Sequence, residues 1–226
     1  MKDIDVSVII PCHNYAHFLS ESVSSALNQE TVNVEVIVVD DGSTDNIHSV
    51  ISRFSDPRVR FVHQEQAGIG AARNTGVRWA RGSLLAFLDA DDLWRVNRLA
   101  RAAATIATSD QDTICFAMVQ EFLDPSIDTT RGQLPALRNV PGVSASSCVV
   151  KSAVFRRVGS FSESLESGEF IDWYIRAQNA GCITHVDPET LTFRRIHSLN
   201  RDRGRRESTK EYARILMRKI RDEQQK

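Results

Sequence analysis

Apolar runs and helical stripes alternate along the first hundred residues. Val6-Ser-Val-Ile-Ile10 predicts a buried strand closed by Pro11, and Val34-Glu-Val-Ile-Val-Val39 a second. Between them Leu19, Val23, Ala26 and Leu27 fall on one helical face. Ile47, Val50, Ile51 and Phe54 give another stripe. Residues 58–62 predict a third strand, 68–81 a helix and 83–88 a fourth strand. Strand–helix alternation of this kind implies βαβ units and a mostly parallel sheet flanked by helices. The second half is less regular. Residues 113–119 and 146–150 predict strands, and 151–158 and 170–180 predict helices. Residues 123–142, with Pro125, Gly132, Pro135, Pro141 and Gly142, predict a long loop of the kind that is usually functional or disordered.

In such a sheet, ligands bind beyond the carboxyl ends of the strands, and the polar residues of this chain collect there. Strand one runs into Pro11-Cys-His-Asn14, strand two into Asp40-Asp-Gly-Ser-Thr-Asp45, and strand four into Asp89-Ala-Asp-Asp92. Alternation along a strand points residues i and i+2 the same way, so Asp89 and Asp91 are expected to share a ligand. Crowded carboxylates repel unless a cation joins them, and a hard divalent ion such as Mg²⁺ or Mn²⁺ suits them. The plainer reading makes these acids caps for a helix starting near Leu93. The 40–45 run reads both ways: Ser43 or Thr44 caps the next helix while a carboxylate accepts from a nucleobase. Gly68-Ile-Gly-Ala-Ala-Arg-Asn74 faintly matches a dinucleotide fingerprint, but Gln64-Glu-Gln-Ala67 separates it from its strand. A helix N-terminus and Arg73 near a diphosphate fit it better.

Composition narrows the field. The chain has 226 residues and a formal net charge of −1, so no global field favours nucleic acid. Charge is uneven: from Arg194 to Lys226 there are 12 Lys+Arg against 5 Asp+Glu, or +7, which leaves −8 on the rest. Cys12, Cys115, Cys148 and Cys182 show no metal-ligand spacing and read as reduced core thiols. The first residues carry no secretory signal, and no apolar run reaches the roughly 18–20 residues of a membrane span. A soluble, cytoplasmic protein is expected.

Four segments in this order resemble the family 2 glycosyltransferases with the GT-A fold: Val6-Ser-Val-Ile-Ile-Pro-Cys-His-Asn14, Glu35-Val-Ile-Val-Val-Asp-Asp-Gly-Ser-Thr-Asp45, Gly70-Ala-Ala-Arg-Asn-Thr-Gly76 and Leu88-Asp-Ala-Asp-Asp-Leu-Trp94. A weaker match runs through Val158-Gly-Ser-Phe-Ser-Glu163. The resemblance implies a nucleotide-sugar donor, commonly a UDP-sugar, and inverting transfer to an acceptor. Pro11, His13 and Asn14 would line the nucleotide pocket and Asp41 would read the base. Arg73 would lie near base or phosphate. Asp89 and Asp91 match the family's Asp-X-Asp, with Asp91 the direct metal ligand. Arg194-Arg-Ile-His197 matches a late Arg-X-X-His element, which brings Arg195 and His197 to the metal or diphosphate. The chain departs from the family at Gly168-Glu-Phe-Ile-Asp172: Phe170 stands where an Asp is usual. Glu169 and Asp172, on one helical face, remain as candidate catalytic bases, with Glu169 preferred.

The expected layout is a GT-A domain over 1–200, with 1–100 holding the nucleotide sugar and 101–200 the acceptor, and a basic C-terminal extension over 201–226. Tyr212, Ile215, Leu216 and Ile220 predict an amphipathic helix over 208–222, which would dock on the domain or touch an anionic membrane peripherally. Two rival readings are a sugar nucleotidyltransferase, which would carry a Gly-rich loop after its first strand, and a nucleotide-binding module that has lost turnover. The acceptor class, whether saccharide, lipid-linked or peptide, is not readable from the residues.

Overall fold

The structure is a computed structural model that describes residues 4–127, 136–198 and 200. The first half follows the predicted alternation: β1 (Val6–Cys12), α1 (Ala16–Leu27), β2 (Val34–Asp41), α2 (Ile47–Ile51), β3 (Val59–Gln64), α3 (Ile69–Trp79) and β4 (Leu84–Phe87). The second half holds β5 (Leu93–Trp94), α4 (Arg98–Thr108), β6 (Thr113–Leu123), β7 (Asn139–Pro141), β8 (Val149–Lys151), α5 (Ser152–Val158), α6 (Glu169–Asn179) and β9 (Ile183–Ile196).

The strands form one sheet in the order β3-β2-β1-β4-β8-β6-β9-β5, with β7 added on β6. β1 to β4 pair in parallel. β8 runs antiparallel to β4 and β6, and β5 antiparallel to β9, while β6 and β9 are parallel. The α/β architecture is therefore as expected. Its first half is parallel throughout, and the second half joins the parallel β6–β9 pair to it through antiparallel pairings that the sequence did not indicate.

Alternation within the strands separates two cores. Val6, Val8 and Ile10 of β1 pack with Leu19, Val23, Leu99 and Ile106 of α1 and α4. Ile9, Leu85 and Phe87 face the other way, onto Phe155, Phe161 and Trp173. The four cysteines lie buried and free. Burial pushes the Cys12 thiol up to about 12 and Cys115 to about 11, so neither offers a thiolate near neutral pH.

Several boundaries move. β1 runs through Pro11, which its pairing with β4 makes tolerable: that pairing stops at Ile9–Phe87, so Pro11 faces a strand on one side only. The expected loop 123–142 is partly strand, since β6 continues to Leu123 and β7 pairs Val140 with Val119. Residues 128–135 of that loop lie outside the described residues, as do the basic extension 201–226 and its predicted helix.

Strand order reverses between β1 and β4, which opens a crevice at their carboxyl ends. α3 lies close over β1 there. A Cβ at Gly76 would stand 2.4 Å from Cγ2 of Ile9. Gly76→Ala is therefore expected to cost about 1–3 kcal/mol by overpacking. Urea unfolding checks this, and an unchanged midpoint would mean that α3 and β1 separate freely.

Candidate active site

The loops after β1 and β2 are fastened together at the crevice. The Asp41 carbonyl accepts a hydrogen bond from His13 Nδ1 at 2.7 Å. A carbonyl only accepts, so Nδ1 carries the proton, and Nε2 is left to accept from Asn14 Nδ2 at 3.2 Å and Gln66 Nε2 at 3.3 Å. Asn14 takes the left-handed conformation, with φ 59°, which Asn tolerates better than most residues. Its backbone N–H donates to Ser43 Oγ, and its Oδ1 accepts from the Thr44 N–H. The helix-capping expectation for the 40–45 run needs correction. Neither Ser43 nor Thr44 caps α2, whose N-cap Asn46 makes no side-chain cap bond. Asp45 instead accepts from the Ala16 N–H at 2.9 Å, so the run caps α1.

Asp41 is buried at the end of β2. Oδ1 accepts from Gln64 Nε2 and the Ala67 N–H, and Oδ2 from the Gly68 N–H at 2.9 Å. Those N–H groups lead into α3, whose N-terminus favours a carboxylate. A carboxylate has about four lone-pair sites, so Asp41 keeps room for one further donor.

Arg73 occupies the centre. It is 2% exposed and sits between two carboxylates: its NH2 donates to Asp89 Oδ1 at 2.7 Å and its NH1 to Glu169 Oε1. The sequence residues 89, 73 and 169 thus meet in one bridge, with 96 positions between Arg73 and Glu169. Oε2 of Glu169 makes no hydrogen bond with the described residues. Asn74, next to Arg73, fixes the approach of residues 161–163: its Nδ2 donates to the Phe161 carbonyl and to Glu163, and its Oδ1 accepts from the Phe161 N–H. Gly70 permits this, because a Cβ there would meet the Ser162 carbonyl oxygen at 2.7 Å.

The other helical acid is used differently. Asp172 accepts from Arg176 Nε at 2.9 Å, one turn along α6, and Arg176 also donates to the carbonyls of Val158 and Ser160. Asp172 therefore supports the 158–160 loop. Phe170 is buried in an aromatic cluster, edge-on to Phe116 at 6.1 Å and stacked on Tyr174 at 6.2 Å.

Residues 89–92 form a turn beyond β4, closed by the Asp92 N–H on the Asp89 carbonyl. The i, i+2 strand argument does not hold there. Asp89 faces Arg73, whereas Asp91 Oδ2 faces His197 Nε2 at 2.9 Å and Asn200 Nδ2 at 3.3 Å. No helix starts at Leu93 either: Leu93–Trp94 form β5, which pairs with Thr192 and Phe193 of β9. That pairing brings His197 to Asp91 across 106 positions.

Arg195 is buried and fully engaged. Its NH1 donates to Asp124 at 3.0 Å, its NH2 to Glu21 at 2.5 Å and its Nε to the Asp91 carbonyl, while its own N–H donates to Asp92. The guanidinium also lies 4.8–4.9 Å from the ring centroids of Phe122 and Phe18. It braces the acidic turn from behind. Asp92, part of the predicted acidic run, joins this network with Glu21 and Asp124, which the sequence does not single out. Asp124 lies at the start of the loop predicted over 123–142, and Glu21 belongs to no motif.

The acidic turn offers carboxylate oxygens of the kind that a hard divalent cation takes. Burial, with Asp91 and Asp89 close by, pushes the Asp92 carboxyl well above the usual carboxylate range. Burial also raises Asp89, against the pull of Arg73. Added positive charge relieves both. Asp89, Asp91 and His197 do not all come within 4.8 Å of one another, because Asp89 is turned to Arg73.

Comparison with known proteins decides the family. The model of glycosyl transferase family 2 matches residues 7–160. The chain belongs to glycosyl transferase family 2. An Escherichia coli relative, UDP-Glc:alpha-D-GlcNAc-diphosphoundecaprenol beta-1,3-glucosyltransferase WfgD, is 44% identical over 100 residues, covering 44% of this chain and 40% of its own length. An uncharacterised glycosyltransferase of Nostoc sp. is 37% identical over 136 residues, covering 58% and 42%. The chain thus spans about two fifths of the length of these relatives. Among solved structures, residues 1–349 of Staphylococcus aureus TarS with UDP-GlcNAc superpose at a TM-score of 0.75 and 21% identity, covering 94% of this chain and 64% of that one. The same TarS fragment with UDP gives 0.72 at 22% identity, covering 96% and 65%. The family 2 chain thus has the GT-A fold. No helix among the described residues is long and apolar enough to cross a membrane.

Proposed function

We infer that this family 2 chain transfers a sugar from a uridine-diphosphate sugar to an acceptor hydroxyl, with inversion and with a divalent metal. The bridge Asp89–Arg73–Glu169 at the switch-point crevice carries the reading, because it joins the acidic turn to a buried helical carboxylate whose Oε2 makes no hydrogen bond with the described residues. The UDP-glucose named for the E. coli relative and the UDP and UDP-GlcNAc complexes of TarS support the donor class.

In this reading Pro11, His13, Asn14 and Asp41 hold the nucleoside, with Asp41 spending its remaining lone pair on a base N–H. Glu169 takes the acceptor proton on Oε2 as the acceptor oxygen attacks the anomeric carbon. The bond from that carbon to the diphosphate breaks, and the nucleoside diphosphate leaves with the electron pair. Arg73 holds Glu169 in place and lies near the charge that develops on the leaving group. Asp91 and Asp89, with His197, would hold the metal, which when bound supplies Lewis-acid stabilisation of the diphosphate. Arg195 keeps the turn in shape rather than meeting the donor.

The acceptor half is assigned to 101–200. The diphosphoundecaprenol in the E. coli relative's name makes a lipid-linked acceptor one candidate class, and a basic extension at 201–226 would suit an anionic membrane surface.

Calorimetric titration with UDP tests the donor and metal together. Manganese is expected to tighten UDP binding by at least about tenfold, roughly 1.4 kcal/mol. Asp91→Asn is expected to erase most of that difference. Equal affinity with and without manganese in the wild-type chain would overturn the metal assignment.

A further inference from the structure

On the outer side of the crevice, away from Arg73, a second group of ligands gathers at the edge of the sheet. Asp40 of β2 and His63 of β3 are register partners, and His63 Nδ1 stands 2.9 Å from Asp40 Oδ2. His48, in the first turn of α2, lies edge-on to Phe61 at 5.1 Å between ring centroids, with its ring 6.2 Å from that of His63. The ligand atoms of Asp40, His48 and His63 all lie within 4.8 Å of one another.

We propose that Asp40, His48 and His63 form a binding site for a zinc-class divalent cation, separate from the carboxylates of the acidic turn. The proposal stands independently of the sugar-transfer reading. Ligand atoms each about 2.0–2.1 Å from a tetrahedral ion stand roughly 3.3–3.4 Å apart, so small side-chain rotations turn this spacing into a coordination shell. A plain hydrogen-bonded His–Asp pair accounts for two of the three groups. It leaves His48 without a role, since that ring makes no hydrogen bond with the described residues.

Three further features suit an ion. Asp40 Oδ1 accepts from the Ser43 N–H at 2.9 Å, the kind of outer contact that fixes a ligating carboxylate. His48 and His63 are exposed while Asp40 is buried, which leaves an open path for entry and a position for water. Two imidazoles with one carboxylate favour Zn²⁺ and similar ions over Mg²⁺ or Mn²⁺, which prefer oxygen donors. A site of this kind thus differs in chemistry from the oxygen donors of the acidic turn. An ion here would tie α2 to β2 and β3 next to Asp41 and to Ser43, whose hydroxyl accepts from Asn14. It would stiffen the outer wall of the nucleotide pocket.

Calorimetric zinc titration of the chelator-stripped protein, with magnesium in excess, tests the proposal. The wild-type chain is expected to take one zinc ion. His48→Gln and His63→Gln, both at exposed positions whose folding far-UV circular dichroism checks, are each expected to weaken it tenfold or more. Asp91→Asn is expected to leave it unchanged. A wild-type chain that takes no zinc overturns the proposal, and so does a double variant that binds as tightly as the wild type. Zinc lost in Asp91→Asn but kept in the histidine variants would place the ion at the acidic turn and overturn it equally.

Discussion

Glu169→Gln is expected to cut sugar transfer by about 10²–10⁴-fold, the usual worth of a positioned general base, and to leave UDP affinity nearly unchanged. Gln keeps the size of the side chain and an oxygen that still accepts from Arg73 NH1. It loses the ability to take a proton on the free oxygen. Turnover and calorimetric UDP affinity, measured on the same preparation, separate the two effects. Asp172→Asn serves as the comparison and is expected to retain most activity, because its carboxylate is held by Arg176 Nε at 2.9 Å. If Asp172→Asn is inactive and Glu169→Gln turns over normally, the base lies one turn later on α6. Phe170→Asp would not restore the family's usual acid at no cost. Position 170 is 6% exposed and packed between Phe116 and Tyr174, where an ionised carboxylate finds no water and no partner.

The nucleotide half of the fold was legible because burial there is written in runs. Val34–Val39 is nearly all apolar, ends abruptly in two acids, and becomes a fully buried strand whose carboxyl end meets the crevice. β9 left no such trace. Thr184, His185, Asp187, Pro188, Glu189 and Thr190 interrupt its apolar pattern, and it is held by pairing with β6 through two register shifts. Without β9 and its contact with β5, residue spacing alone does not bring His197 to Asp91; only the family resemblance of Arg194-Arg-Ile-His197 points there. The motif residues were found, but their partners were misread wherever the partner lay outside the local window. Asp45 caps a helix that begins 29 positions earlier, and the Asp89–Asp91 pair splits between Arg73 and His197. Local spacing gives which side chains are near one another along an element. It does not give which of several nearby charges a carboxylate will choose.

Arg73→Met is expected to destabilise the chain by about 3–5 kcal/mol, the range for removing one member of a buried ion pair. Burial works against the Arg73 charge, yet the Asp89 and Glu169 carboxylates outweigh it and raise the guanidinium above its ordinary range. Two acids and one base therefore share a site in which the arginine is 2% exposed. Taking the base away leaves two carboxylates facing each other with no cation between them. Lysine does not replace it well, since one ammonium lacks the planar fork that reaches both acids at once. Arg73→Lys is expected to fall between wild type and Arg73→Met. Urea unfolding of Arg73→Met, Glu169→Gln and the double variant decides whether the bridge is the cause. The double variant should recover part of the loss, with a coupling of roughly 0.5–3 kcal/mol, because neutralising Glu169 removes one of the stranded charges. A loss below about 1 kcal/mol in Arg73→Met would put the bridge in the class of solvent-screened surface pairs, and Arg73 would then not be what holds Glu169 against the acidic turn.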